Sequence, residues 1–356
     1  MTGAQLDRHQ LLRRDPGLVG LSLSRLADQL RDGWHQAKPP RLPAGYRTVR
    51  SIAVCGMGGS HLGADILRSA LADRLRVPVT IVADYRLPKW VDQSTLVICS
   101  SYSGTTEETL TAFRQALKRR AKVIAVTHGG ALARLAKQAG VPVYQYDDKE
   151  NPSGQPRLGV AYGMMAMLEA LRKLKLVRID EREIAQLPVI AWEATKRFWP
   201  ARTASRNLAK QLALAWSGRI PFLVGAEWSA GNVHTFVNQL HENAKTYADF
   251  RLLPDLNHHL LEGMRNRTVT KQFSFLLIND RSYINRTQRR FVLSANILKR
   301  LGADIQTYQP HGATALEKAI DLLAFGGYVS WYLAAVRKVK PALIPTVDAL
   351  KAALAK

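Results

Sequence analysis

Short, wholly apolar runs alternate with helix-patterned segments through the first half of this 356-residue chain, and that alternation limits the fold more than any other feature. Residues 52–55, 79–83, 96–100, 123–127 and 141–144 read as strands, and 61–75, 107–119 and 131–139 as helices among them. A strand that is apolar on both faces needs cover on both faces, so helices must lie above and below a parallel sheet. The expected fold class is α/β, with a doubly wound parallel-sheet domain ending near residue 150.

The stretch 147–156, with Pro152, Gly154 and Pro156, reads as a linker. A strong helix is expected over 158–176, followed by a second α/β pattern: strand 221–225, helix 229–240, strand 273–278, helix 286–301, strand 303–308 and a long apolar helix 315–337. The second half therefore reads as a degenerate copy of the first. Leucine-rich residues ahead of Pro39, Pro40 and Pro43 form an N-terminal helical segment. The expected division is a helical segment over 1–45, a first domain over 46–155, and a second over 156–356 that ends in a C-terminal helix.

The chain carries a formal net charge of +23, which invites a polyanion partner. The distribution argues against one, because basic residues are scattered along amphipathic helices such as 114–122, 172–178 and 286–300. No helix-turn-helix, paired zinc-ligand or stacking-aromatic pattern accompanies them, so nucleic acid is not the expected partner. The N-terminus is polar and unlike a signal peptide, and no membrane association is expected. Cys55 and Cys99 each close a buried strand and read as small hydrophobes in a reduced, cytoplasmic protein.

Two loops carry the chemistry. Gly56-Met57-Gly58-Gly59-Ser60 and Ser101-Tyr102-Ser103-Gly104-Thr105-Thr106 each follow a strand and lead into a helix. That placement offers free backbone N–H groups and the positive end of a helix dipole, and the hydroxyls add donors for a phosphate. Gly58, Gly59, Ser60, Ser101, Ser103 and Thr106 are the candidate phosphate-binding residues. A dinucleotide-binding loop would need a third glycine where His61 stands, and it has no use for a second hydroxyl cradle. The second-half counterpart, Gly225-Ala226-Glu227-Trp228-Ser229, has lost the glycine cluster.

The run Ser100-Ser101-Tyr102-Ser103-Gly104-Thr105-Thr106-Glu107-Glu108-Thr109 resembles the phosphosugar-binding loop of the sugar isomerase (SIS) fold. Asn238-Gln239-Leu240-His241-Glu242-Asn243-Ala244-Lys245, followed by Leu256-Asn257-His258-His259, is similar to the bifunctional phosphoglucose/phosphomannose isomerases. Further matching pieces are Asp84-Tyr85-Arg86-Leu87-Pro88, Pro156-Arg157, Gly326-Gly327-Tyr328-Val329-Ser330 and Ala349-Leu350-Lys351, so the resemblance spans roughly 50–352. It implies two SIS domains and interconversion of glucose 6-phosphate, and of mannose 6-phosphate, with fructose 6-phosphate. By the same resemblance Glu242 is the catalytic base, His258 opens the ring, Arg157 is a positive group beside the reacting carbons, and Lys351 is a further active-site cation. It also implies a homodimer and allows the histidine to come from the neighbouring chain. Two departures stand out: His241 replaces an asparagine, and His259-Leu260 replaces a more polar continuation.

These residue types suit the reaction. Ring opening needs a group that gives and takes a proton near neutral pH, which histidine does. A carboxylate in a partly desolvated setting can carry a proton between adjacent carbons. The cis-enediolate between them needs a fixed positive charge. No step needs a metal or redox cofactor, and none is expected. Plainer readings stand beside these. Glu242 has the helical spacing to pair with Lys245 as a surface ion pair, Lys351 sits among ordinary helix lysines, and adjacent His258 and His259 point differently and cannot easily share one metal. An amino-sugar phosphate isomerase and a non-catalytic phosphosugar sensor are the alternative functions.

Overall fold

The computed structural model describes Leu6, Leu11, Arg13, residues 15–38 and residues 42–354. Of the expected N-terminal helical segment it places α1 (Val19–Ser24), α2 (Leu26–Gln36) and a 3-10 turn at Ala44–Thr48. The breakers Pro39 and Pro40 lie outside the described residues.

The first sheet contains β1 (Ser51–Cys55), β2 (Val79–Val82), β3 (Thr95–Ser101), β4 (Lys122–Thr127) and β5 (Val143–Gln145), all parallel, in the order β2-β1-β3-β4-β5. Every residue of β3 is buried, as a central strand covered on both faces requires. Helices α3 (Gly59–Ala70), α4 (Glu107–Lys118) and α5 (Gly130–Gln138) cover the faces. Cys55 and Cys99 are unbridged, buried neighbours in the β1–β3 register. After the linker come α6 (Val160–Lys173), α7 (Glu181–Phe198) and α8 (Leu208–Ala215).

The second sheet repeats the first with one strand fewer. It contains β6 (Ile220–Ala226), β7 (Asp249–Leu253), β8 (Phe273–Ile278) and β9 (Asp304–Tyr308), parallel in the order β7-β6-β8-β9. Its helices are α9 (Ala230–Ala244), α10 (Leu256–Gly263), α11 (Arg267–Thr270), α12 (Asn285–Arg300), α13 (Ala315–Val336) and α14 (Pro345–Leu354). In both sheets the first strand lies between the next two, so the order reverses there and opens a crevice at the carboxyl ends.

Helix α13 is long and apolar enough to cross a membrane by length and composition, yet its most apolar stretch is wholly buried in this fold. It packs against α7, α8 and α9, and Gly326 and Gly327 let Phe236, Gln239 and Leu23 approach its backbone. A Cβ at Gly326 would come within 2.8 Å of the Phe236 ring.

One helix crossing positions the site. Gly231 N donates to Ser69 Oγ, and a Cβ at Gly231 would sit 2.2 Å from the Asp65 carbonyl oxygen. Further along α9, His234 meets Asp65 and His61, so α9 runs antiparallel to α3. The C-terminal end of α9, which carries Glu242, therefore points toward the N-terminal end of α3, which begins at Gly59.

Candidate active site

The first-sheet loops are tied to each other before any ligand is considered. Tyr102 N donates to Ser60 Oγ at 2.9 Å, and Ser100 Oγ donates to the Ser60 carbonyl at 2.6 Å. Ser101 Oγ donates to Thr106 Oγ1 at 2.9 Å and accepts from Gly104 N at 3.1 Å. Ser103 Oγ accepts from Thr105 N at 3.2 Å. Gly58 and Gly104 have φ of 48° and 68°, the left-handed region that favours glycine. Thr106 caps α4 with extended backbone, and Gly58 precedes the first turn of α3. Of the six residues expected to bind phosphate, Gly58, Gly59, Ser60, Ser103 and Thr106 are at least partly exposed on one shelf of hydroxyls, backbone N–H groups and helix N-termini, while Ser101 is fully buried beneath it and holds Thr106 and Gly104.

Gly59 joins that shelf to the arginine. A Cβ there would lie 2.7 Å from Arg157 N and 2.7 Å from the Pro156 carbonyl carbon, so only glycine admits the linker this closely. Arg157 sits in a 3-10 turn, Pro156–Leu158, just ahead of α6, and is 1 % exposed. Its Nε donates to Asn243 Oδ1 at 2.6 Å, and Nη1 donates to Gln155 Oε1 and Glu242 Oε2, both at 2.9 Å. Nη2 donates to the carbonyls of Pro341 and Ala342 at 2.8 and 2.9 Å. All five N–H groups of the guanidinium are used. Burial pushes its pKa below the ordinary arginine value, opposed by Glu242 and by Asp348 on α14.

Glu242 is partly exposed and accepts from this buried cation. The surface pairing of its carboxylate with Lys245 does not form. Lys245 Nζ instead donates to the Glu242 backbone carbonyl at 2.6 Å and to that of Pro341 at 3.2 Å. Lys245 ends α9 in the left-handed region, which turns its chain back over the helix end. Burial, and then repulsion from Arg157, lower its pKa to about 8. The departure at His241 leaves the pair untouched, because its Nε2 faces Ala248, 3.0 Å from that residue's backbone oxygen.

His258 stands apart. Helix α9 ends at the edge of the second sheet where β7 begins, and α10 starts where β7 ends. Five residues of strand, about 16 Å, separate those edges, so Glu242 and His258 lie toward opposite ends of β7. His258 is exposed and its ring makes no hydrogen bond or ion pair among the described residues, whereas His259 Nε2 lies 3.2 Å from Asp255 Oδ2. Lys351 is exposed on α14, one turn beyond Asp348, the residue whose charge reaches Arg157.

Residues that sequence reasoning passed over complete the arrangement. Gln155, Asn243 and the carbonyls at 341 and 342 hold Arg157, and of these only Asn243 lies in the Glu-Asn-Ala-Lys block that the sequence singled out. A second cluster joins α3 to α9. His234 Nδ1 is 2.8 Å from Asp65 Oδ2, Arg68 holds the other Asp65 oxygen, and the His61 ring stacks on His234 at 5.8 Å. His61 is 7 % exposed with no partner on Nδ1, and burial together with His234 lowers its pKa. For a metal, His128, Asp147 and Asp148 bring ligand atoms within 4.8 Å of one another, with His128 Nε2 lying 3.2 Å from Asp148 Oδ1.

Two parallel sheets, one carrying hydroxyl-rich glycine loops and the other facing them with a carboxylate on a buried arginine, define a double-SIS protein. Family models agree: the SIS domain matches residues 46–171, and the bacterial phospho-glucose isomerase C-terminal SIS domain matches 205–354. The bifunctional phosphoglucose/phosphomannose isomerase of Caldicellulosiruptor bescii is 30% identical over 338 residues, covering 94% of this chain and 98% of that protein. That of Aquifex aeolicus is 30% identical over 309 residues, covering 86% and 91%. A hypothetical protein of Thermus thermophilus has the same fold, with a TM-score of 0.76 at 17% identity over 98% of this chain and 92% of that one. This chain belongs to the bifunctional phosphoglucose/phosphomannose isomerase family.

Proposed function

We propose that this protein interconverts fructose 6-phosphate with glucose 6-phosphate and with mannose 6-phosphate through a cis-enediolate. The observation that carries the reading is the Arg157–Glu242 pair, set on the α9 end that points toward the phosphate loops. In this reading residues 46–155 grip the phosphate and residues 156–356 supply the chemistry. Ser60, Ser101, Ser103 and Thr106, with the backbone at Gly58 and Gly59, hold the phosphate. Glu242 takes a proton from one carbon and returns it to the next. Arg157 fixes the carboxylate and supplies a buried positive field for the enediolate; its N–H groups are engaged by protein acceptors, so its share is field and placement.

His258 opens the ring in the site of a neighbouring chain. The distance that β7 puts between His258 and its own Glu242 supports that assignment, and with it a homodimer as the working form. Lys351 on α14 adds a cation at the rim. The enzyme is cytoplasmic in this reading, with the sugar phosphate as its partner and no nucleic acid or membrane.

A coupled assay tests the reading, following fructose 6-phosphate to glucose 6-phosphate through an NADP-linked dehydrogenase in the presence of chelator. Turnover is expected, with mannose 6-phosphate also accepted as substrate. Tight binding of these sugar phosphates without turnover would leave a sensor instead.

A further inference from the structure

The linker does more than join the two halves. Asn151, 3 % exposed, donates through Nδ2 both to Tyr102 Oη at 2.8 Å and to the Gln155 carbonyl at 3.1 Å. Tyr102 belongs to the phosphate loop, and its N–H holds Ser60 Oγ. Tyr102 Oη also donates to Asp148, at the start of the same linker. Gln155 Oε1 then accepts from Arg157 Nη1, the nitrogen that also donates to Glu242. A line of hydrogen bonds, continued through the covalent frames of Tyr102 (backbone N to Oη) and Gln155 (carbonyl to Oε1), therefore runs from the phosphate shelf to the carboxylate: Ser60, Tyr102, Asn151, Gln155, Arg157, Glu242.

Packing leaves this line little freedom. Ser153 Oγ donates to Asn151 Oδ1 at 2.8 Å, so both ends of the amide are engaged. Gly159 has no Cβ because one would lie 2.8 Å from the Tyr102 ring and 2.9 Å from Asn151 Nδ2. A change of side chain at Asn151 breaks two of the joins at once, and Asn151 Nδ2 is the one atom that hydrogen-bonds both Tyr102 Oη and the Gln155 carbonyl.

We infer that Asn151 is a positioning residue, the central join of a relay by which the grip on the substrate phosphate sets the placement of Arg157 and Glu242. Binding energy from a non-reacting group is useful to catalysis when it orients the reacting ones, and a phosphate several bonds from the reacting carbons is such a group. The relay gives that energy a physical path. The inference rests on Arg157 and Glu242 being the reacting pair.

The test uses the full chain with fructose 6-phosphate as substrate and inorganic phosphate as competitive inhibitor. Loss of turnover in Glu242→Gln establishes the underlying reading; if that variant keeps its rate, the reading itself fails, whatever Asn151 does. Against that background Asn151→Ala is expected to lower kcat about ten-fold, within the range of ordinary coupling between sites. The inhibition constant of inorganic phosphate should stay within about two-fold, because the shelf itself is intact. A kcat within about two-fold of wild type would overturn the relay. Tyr102→Phe and Gln155→Ala provide a second arm that does not depend on how Asn151→Ala folds. The two residues communicate through Asn151, so the double variant is expected to lose no more kcat than the worse single one. Losses that multiply would contradict the relay.

Discussion

Arg157 Nη1 lies 2.9 Å from Glu242 Oε2, and the arginine side chain has no exposed surface while the glutamate keeps a quarter of its own. One partner is thus fixed by the core and the other is free to meet a ligand. The first expectation follows from that asymmetry. Lysine carries three donors on one nitrogen and cannot replace a fork with five acceptors. Arg157→Lys should therefore cost on the order of 3 kcal/mol of stability, as breaking buried charge pairs does. It should also lower kcat, and denaturant midpoints measured beside turnover check both; a wild-type midpoint would contradict the packing described.

Gly59→Ala tests the contact between the shelf and the linker. The new Cβ would lie 2.7 Å from two backbone atoms at 156–157, which have no rotamer through which to give way. Overpacking of this kind costs about 1–3 kcal/mol. A lower melting temperature and reduced turnover are expected. Unchanged values for both would mean that the linker does not seat on this glycine.

Lys245 should give a signature at alkaline pH. Its folded pKa is lowered to about 8 against an ordinary lysine value of 10.5, first by burial and then by Arg157. Between those values the unfolded chain holds a proton that the folded chain has lost, so raising the pH through this window favours the folded state. The melting temperature of the wild type should rise relative to Lys245→Met from about pH 8 to pH 10. Parallel curves for the two proteins would count against the assigned environment.

His61 should act on the acid side. Burial and His234 keep it neutral in the fold, whereas an unfolded histidine takes up a proton below about 6.5. Stability should fall as pH drops from about 7 to 5, and His61→Leu should flatten that fall. Asp65, which faces the pair together with Arg68, has a lowered pKa, so its own contribution is lost only below the ordinary aspartate value of 3.8 and outside this window. A wild type no more acid-sensitive than His61→Leu would remove the effect.

The first sheet was legible because its strands are apolar on both faces, and β1, β3 and β4 lie where the pattern put them. Five elements were not, namely β7, α7, α8, α10 and α11, and the first three show why. Edge strand β7 buries only Leu253, so nothing in Asp249–Leu253 alternates clearly. Helix α7 carries Pro188 inside it, yet Ile184, Leu187, Ala191, Ala194 and Phe198 keep a helical face inward. Helix α8 follows the polar stretch 201–207, and Asn207 caps it by accepting from Lys210 N. At the site, the two loops were legible as strand-to-helix turns because their glycines and hydroxyls are consecutive in sequence. The holders of Arg157 were not, because carbonyls at 341 and 342 and the amide of Asn243 come from distant segments that only the fold brings together. The separation of His258 from Glu242 was equally hidden, since it depends on which edge of the sheet each helix ends at.

Isomerisation of fructose 6-phosphate in deuterated water, followed by NMR at C2 of the products, tests the central claim most directly. While the enediolate lives, the proton on the partly exposed Glu242 carboxyl exchanges with solvent in competition with its return, so partial deuterium is expected at C2 of glucose 6-phosphate and of mannose 6-phosphate, and Glu242→Gln should abolish both turnover and label. Turnover and label that persist in Glu242→Gln at the wild-type rate would contradict Glu242 as the base.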